Sequence, residues 1–355
     1  MLSNWIRSQK LQAHSYKNSS VFYRNLEEAL DVRRADHALY TIQKHTWKEG
    51  HAVDFCSNDL LSLGASGLLR REFMEELTRN PDLAVGAGGS RMMDGNYEYL
   101  EQVEKEVAEF HKAETGLIVG SGFEANIAIF NAIPRPGDVI VYDELVHAST
   151  HDGMQQSLAK SRPFRHNDVD AFREVLLSVW DSEPLIKQGT RCILVAVESV
   201  YSMDGDVGPL EELLDVAKEV IPNGNIQFIV DEAHSTGVLG PNGAGLVCSL
   251  GLEKQIAVRL HTFGKAVGTG GGKIHKTFFF LIVILARVWC YDGLTSSHSC
   301  DIGQQNHLCS FDELCSLRRL YYRTIISSRG FNSCKLPFDE IGPDSRGKSI
   351  EAFFL

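Results

Sequence analysis

Residues 226–237 read IQFIVDEAHSTG, and this stretch decides what kind of sheet the chain builds. Ile226 to Val230 is a short apolar run rich in β-branched residues, the composition of a strand buried on both faces. Asp231 closes the run, and open parallel sheets keep their chemistry at the carboxyl ends of their strands. An aspartate there has two readings: a cap or turn residue for the chain that follows, or a charge offered to a ligand. His234 stands three residues on, within reach of the same ligand or packed in the loop.

Working downstream, residues 259–272 read RLHTFGKAVGTGGG. Val258 to Thr262 forms another strand, and Lys265 follows it among small and apolar neighbours. A lysine amine attacks a carbonyl only when neutral, and a semi-buried apolar setting disfavours the ammonium form. Alone, Gly264-Lys265 also reads as a surface lysine on a glycine loop. Beside Asp231 it gains weight, because a lysine for the aldehyde and an acid for the pyridinium nitrogen are the two protein groups that pyridoxal 5'-phosphate (PLP) requires.

Working upstream, strand and helix patterns alternate from Thr115 with short links, which predicts an α/β fold with a parallel sheet and right-handed crossovers. GLIV is a strand, SG a turn, and FEANIAIFNAI a helix closed by Pro134. That turn sets the amides of Gly122 and Phe123 at a helix start, where the dipole attracts phosphate, with Ser121 beside them. A tightly packed turn would use the same glycine. Val139 to Tyr142 is the next strand, and His147 falls near the start of the helix after it. Cys192 to Val197 is a third, followed by an SMDGD turn with Ser202 and a helix beginning near Pro209. Nearer the amino terminus, Val53 to Cys56 reads as a strand turned by Asn58 and Asp59. The glycine loop VGAGGSR leads into a long helix from near Glu98, with Arg91 either reaching a ligand or capping neighbouring carbonyls. A helical pattern over residues 25–40 offers Leu26, Leu30, Ala35 and Leu39 to one face.

DEAHSTG followed by HTFGKAVG, and preceded by SGFEAN and HAS, resembles the α-oxoamine synthases, PLP enzymes of fold type I. The resemblance runs from about Asn25 to Gly272, and LDVRRADHALY looks like the opening helix of the 8-amino-7-oxononanoate synthases in particular. It implies an aspartate aminotransferase-like large domain with a mainly parallel sheet. It also implies roles. Lys265 holds the cofactor, Asp231 its ring nitrogen and His147 the ring face, while His234 meets the phenolic oxygen. Ser121, Gly122, Phe123, Ser202 and Thr262 hold the cofactor and its phosphate, and Asn58 and Arg91 lie on the substrate side. The implied reaction condenses an amino acid, L-alanine or glycine, with an acyl-CoA, and decarboxylates the product to an α-amino ketone. For an 8-amino-7-oxononanoate synthase the pair is L-alanine and pimeloyl-CoA, a step towards biotin. A homodimer is expected where the tail permits one.

The organisation implied is an arm and helix over residues 1–48, a PLP-binding large domain over 49–272 and a divergent tail over 273–355. The tail replaces the family's small carboxyl-terminal domain, which is expected to be missing or altered. Gly272-Lys273-Ile274 is encodable across a splice-donor sequence, so a shift of reading frame is the expectation there. Besides an active synthase, the same residues allow an inert PLP-holding partner of an intact paralogue, or a misassembled product.

Bulk properties exclude other classes. A net charge of -11 over 355 residues argues against a nucleic-acid binder, which needs clustered Lys and Arg. Phe278 to Ala286 is shorter than the ~20 apolar residues of a membrane span. The eight cysteines form no paired framework, and the spacings of His298 with Cys300 and His307 with Cys309 match no usual zinc knuckle, so no metal is expected. A cytoplasmic setting follows. The alternative is mitochondrial, since the first 24 residues carry Arg7, Lys10, Lys17 and Arg24 and no acid.

Overall fold

The computed structural model describes residues 6, 8–12, 18–40, 53–84, 86–269 and 282–286. The chain divides into two compact units, residues 1–57 and 58–355. In the first, helix α1 (Val21–Ala35) places Arg33 and Arg34 in its last turn, where cations favour the negative end of the dipole. The helical pattern expected through residue 40 stops at Ala35, and His37 takes a φ of 54° in the turn that ends it. The strand expected over Val53 to Cys56 is absent. Asp54 Oδ1 instead accepts the Cys56 and Ser57 backbone N–H groups at 3.0 and 2.9 Å, a turn that competes with a ladder.

The second unit opens with helices α2 (Leu68–Arg79) and α3 (Glu98–Phe110), then builds one sheet. Its strands are β1 (Thr115–Val119), β2 (Val139–Asp143), β3 (Lys160–Phe164), β4 (Ile193–Glu198), β5 (Ile226–Asp231), β6 (Val258–Thr262) and β7 (Ile282–Ala286). They stand in the order β1-β7-β6-β5-β4-β2-β3. β3, β2, β4, β5 and β6 run parallel, and β7 lies antiparallel between β1 and β6. The crossovers are made by α4 (Gly122–Ala132), α5 (Ala148–Gln156), α6 (Val169–Ser182), α7 (Pro184–Lys187), α8 (Leu210–Val220) and α9 (Leu246–Leu250).

All six residues of β4 are buried, as an apolar central strand covered on both faces requires. The two-residue pleat then sorts side chains into two cores. Val195, Val197, Phe228 and Val230 pack with Phe172 and Leu176 of α6 and Leu213 of α8. Leu194, Ala196, Ile229 and Leu260 pack with Ala125, Ile129 and Phe130 of α4 and Met154 of α5. Each large side chain so buried contributes about 1.5–3 kcal/mol. β3 escapes the apolar pattern because it is an edge strand, exposed up to Phe164 and carrying Pro163.

Because β2, β4, β5 and β6 are parallel, Asp143, Glu198, Asp231 and the chain leading to Lys265 meet at one edge of the sheet. β7 comes from the 273–355 segment expected to diverge. The rest of that segment lies outside the described residues. The expectations of a missing or altered small domain, of a frame shift near Gly272 and of no metal at the tail cysteines therefore fall outside the described residues. Among the described residues no helix is long and apolar enough to cross a membrane.

Candidate active site

Asp231 ends β5, half-buried, and both carboxylate oxygens are held. Oδ1 accepts the Ala233 backbone N–H at 2.9 Å, and Oδ2 accepts the Asn126 side-chain amide at 2.9 Å. Asn126 lies one turn into α4 and is almost fully buried. Its amide also donates to Ser149 Oγ at 3.0 Å, and Ser149 Oγ lies 2.7 Å from His147 Nδ1. His147 caps α5, with Nδ1 accepting the Ser149 backbone N–H at 3.2 Å. Nδ1 is therefore the acceptor of its ring, which leaves the proton on Nε2. One buried amide thus ties the acid of β5 to the histidine of α5.

Lys265 lies three residues beyond β6, and its Nζ is 2.7 Å from His234 Nε2. Burial lowers the Lys265 pKa, while the charges of Asp231 and Glu198 work against that fall. His234 is pushed down to about 4 by burial and by the lysine's charge, with Asp231 opposing and His147 adding to the fall. At neutral pH His234 is accordingly the acceptor and the lysine the donor. Asp231, His147 and Lys265 each act on His234 electrostatically, and Asp231 also acts on Lys265.

Sequence reasoning missed Glu198 as well as Asn126. Glu198 is the register partner of Asp231 on β4, and its Oε1 accepts the His147 backbone N–H at 2.6 Å. Burial, then the charge of Asp231, push its pKa up to about 8. The signal was legible: Glu198 closes an apolar run at a strand end, as Asp231 does. Asn126 gave no such sign, being one of two asparagines in a largely apolar helix.

The other expected residues fall as follows. Ser121 caps α4, its Oγ accepting the Glu124 N–H at 3.1 Å, so Gly122 and Phe123 supply the helix's first amides, which lack intrahelical partners. The Phe123 ring stands edge-on to His147 at 6.1 Å. Thr262 ends β6, and Ser202 is exposed in the turn after β4. Asn58 is exposed. The loop it opens meets the Lys265 segment where Asp59 accepts the Gly64 N–H at 3.2 Å, and a Cβ at Gly268 would come within 3.1 Å of Gly64 N. Gly268 also has a φ of 75°, so glycine serves there twice over. Arg91 is engaged differently from the substrate role expected of it. Its guanidinium pairs with both oxygens of Glu104, donates to Asn96 Oδ1 at 2.9 Å and lies 3.4 Å from the Ile118 carbonyl. It braces α3 against β1, and of these partners only the Ile118 carbonyl corresponds to the carbonyl-capping alternative.

The donor set fits PLP. A desolvated lysine amine can hold an aldehyde carbon, an acid fixed by two donors can keep a ring nitrogen protonated, and a capped helix start can receive a phosphate. No group of three or more His, Cys, Asp or Glu among the described residues is placed to hold a metal ion. An acid and a lysine at the carboxyl edge of this sheet are the architecture of the PLP-dependent transferases of fold type I. The chain belongs to the aminotransferase class I and II family, whose model matches residues 51–275, and within it to the α-oxoamine synthase group. It is 59% identical over 274 residues to the aminoacyl transferase sphA of Byssochlamys spectabilis, covering 77% of this chain and 58% of that protein. It is 47% identical over 249 residues to the 8-amino-7-oxononanoate synthase of Emericella nidulans, covering 70% and 60%. Among solved structures, serine palmitoyltransferase from S. paucimobilis with a bound PLP–myriocin aldimine matches with a TM-score of 0.54 at 30% identity, over 65% of this chain and 52% of that one. The chain thus spans about 60% of the length of the curated relatives it matches.

Proposed function

We propose that this chain forms the cofactor-binding part of an α-oxoamine synthase, and that Lys265, Asp231 and His147 serve PLP-dependent acyl transfer onto an amino acid. The placement of Lys265 Nζ, 2.7 Å from a neutral histidine nitrogen and within the field of Asp231, carries this reading. Bound there, PLP would supply an aldehyde for the amine and a ring that takes up the charge left on the amino acid's Cα. Lys265 Nζ would hold the aldehyde and, as a free amine, would take the Cα proton of the bound amino acid. His234 Nε2 orients that amine and would meet the phenolic oxygen. Asp231 retains a proton on the ring nitrogen, and Asn126 keeps Asp231 in place. His147, set by Ser149 and Glu198, would cover the ring face. Ser121, Gly122, Phe123, Ser202 and Thr262 hold the phosphate side, and Asn58 the amino-acid side.

The overall reaction joins the amino acid's Cα to the acyl carbon of a CoA thioester. The thioester C–S bond breaks, CoA leaves as the thiol, and the carboxylate leaves as carbon dioxide. The relatives at 59% and 47% identity are an aminoacyl transferase and an 8-amino-7-oxononanoate synthase, so the proposal is made for acyl transfer onto an amino acid, with L-alanine and pimeloyl-CoA as one candidate pair. A homodimer of the complete protein belongs to the same proposal. Incubation with PLP, acyl-CoA of graded chain length and L-alanine, glycine or L-serine tests it. Free thiol and carbon dioxide in equal amounts, dependent on the amino acid, support the proposal; thiol release unaffected by the amino acid sinks it.

A further inference from the structure

Away from Lys265, one titratable cluster draws on three separate elements and has no part in the chemistry above. His166 follows β3, with Nδ1 2.9 Å from Asp143 Oδ1 and Nε2 2.7 Å from Asp206 Oδ2. Asp143 is fully buried at the end of β2, while Asp206 belongs to the turn after β4 that carries Ser202. Asn167 repeats the bridge: its backbone N–H donates to Asp143 Oδ2 at 2.8 Å and its side chain to Asp206 Oδ2 at 2.7 Å. Tyr201 stands edge-on to the His166 ring at 4.5 Å. The Tyr201 hydroxyl accepts the Glu198 backbone N–H at 3.2 Å and hydrogen-bonds Asp143. The cluster therefore runs from the turn to the strand end that lies beside Asp231.

A neutral imidazole offers one N–H and one lone pair. With a carboxylate at each nitrogen, only the imidazolium donates to both. Burial opposes that charge, but the hydrogen bonds to Asp143 and Asp206 and their charges overcome it, and the His166 pKa is raised. Asp206, despite partial burial that works the other way, is held below its ordinary value by its bond to His166. The remaining charged neighbours are Glu144, whose Oε1 accepts the His166 backbone N–H at 3.1 Å, and Arg165, which pairs with Asp168 at 2.7 Å.

The turn is narrow. Val200 and Val207 pair as a bridge, the Tyr201 N–H donates to the Asp206 carbonyl at 3.0 Å, and Gly205 takes a φ of 75°. Ser202 and Met203 are exposed at its tip. Asp206 is the turn's charged link to the body of the sheet.

We propose that His166, as the imidazolium bridging Asp143 and Asp206, is a positioning residue that latches the 201–206 turn beside the cofactor site and releases it as the pH rises. Its place beside a cofactor rests on the PLP reading; the latch itself does not. The sign follows from linkage. A raised folded-state pKa gives His166 a stabilising contribution that is complete below the ordinary histidine range. That contribution is lost as the pH rises through the raised value.

The test compares urea midpoints of the full-length wild type, His166→Gln and Asp206→Asn from about pH 5 to about pH 9, without PLP. The wild type should exceed both variants at the acid end, with the gap closing towards the alkaline end. A gap that stays constant with pH makes His166 a packing residue and overturns the latch, as does an Asp206→Asn variant with the wild-type pH profile. PLP affinity measured over the same range should weaken several-fold more steeply with pH in the wild type than in His166→Gln. Equal slopes detach the latch from the cofactor site. A wild type that binds no PLP at any pH overturns the cofactor reading, while the urea profiles still decide the latch.

Discussion

Asp231→Asn is the most informative single change, because the structure predicts that a near-isosteric amide cannot be accommodated. Both oxygens of Asp231 accept, from the Ala233 N–H and from the Asn126 amide, each at 2.9 Å. An asparagine amide has one accepting oxygen and one donating nitrogen. In either orientation the new NH2 group opposes a fixed donor, and one buried donor goes unpaired. That costs about 1–3 kcal/mol. With a urea slope of about 3 kcal/mol/M, the midpoint falls by about 0.3–1 M. Asn126→Ala removes the opposing donor, so the double variant should cost about 1–2 kcal/mol less than the sum of the two singles. Strict additivity across this cycle would refute the Asn126–Asp231 geometry. In the turnover assay Asp231→Asn should lower ketone formation by at least about 100-fold, since the negative charge at the ring nitrogen is gone. Unaltered turnover would refute the role given to Asp231.

Three further changes probe the surroundings. Arg91→Met leaves Glu104, 4% exposed, without its ion-pair partner and should cost about 3–5 kcal/mol in urea unfolding; a loss below about 1 kcal/mol would contradict the brace. Lys265→Met should stabilise the PLP-free protein at neutral pH, because burial lowers the lysine's folded-state pKa and the unfolded chain alone binds that proton freely. The gain should shrink as the pH rises towards 10.5, and a gain independent of pH would show that charge is not its source. Glu198, pushed up to about 8 by burial and then Asp231, accepts the His147 N–H through an oxygen that glutamine also carries, so Glu198→Gln should retain PLP affinity while Glu198→Ala, which removes that acceptor, should weaken it about tenfold. Equal affinities for the two variants would remove Glu198 from the account.

What the sequence revealed follows the length scale of each interaction. The strand ending at Asp231 was legible because Ile226, Phe228, Ile229 and Val230 make a short, largely apolar run bounded by turn residues, a local strand signal; β6, with Arg259 and His261 inside it, was legible from its β-branched ends and the glycine turn that follows. Lys265 was legible only through its company, and the structure shows why, since its environment is supplied by His234 and Asp231 on another strand end. β3 was missed because an edge strand need not be apolar. The strand expected at Val53 to Cys56 lost to Asp54, whose side chain takes the two amides a ladder would use. Arg91 was ambiguous for a tertiary reason: its partner Glu104 lies thirteen residues on, along a helix with four other glutamates, and only the packing of α3 against β1 selects it. His166, Asp143 and Asp206 are spread over more than sixty residues of chain, and nothing local marks them as one cluster.

The claim beneath all of this is that one amine, Lys265 Nζ, is where PLP attaches. Loading the full-length protein with PLP, reducing with borohydride and mapping the peptides by mass spectrometry asks that question directly. The account predicts a pyridoxyl group on the peptide carrying Lys265, and its loss in Lys265→Ala. A label on another lysine, or equal labelling after that substitution, would contradict it.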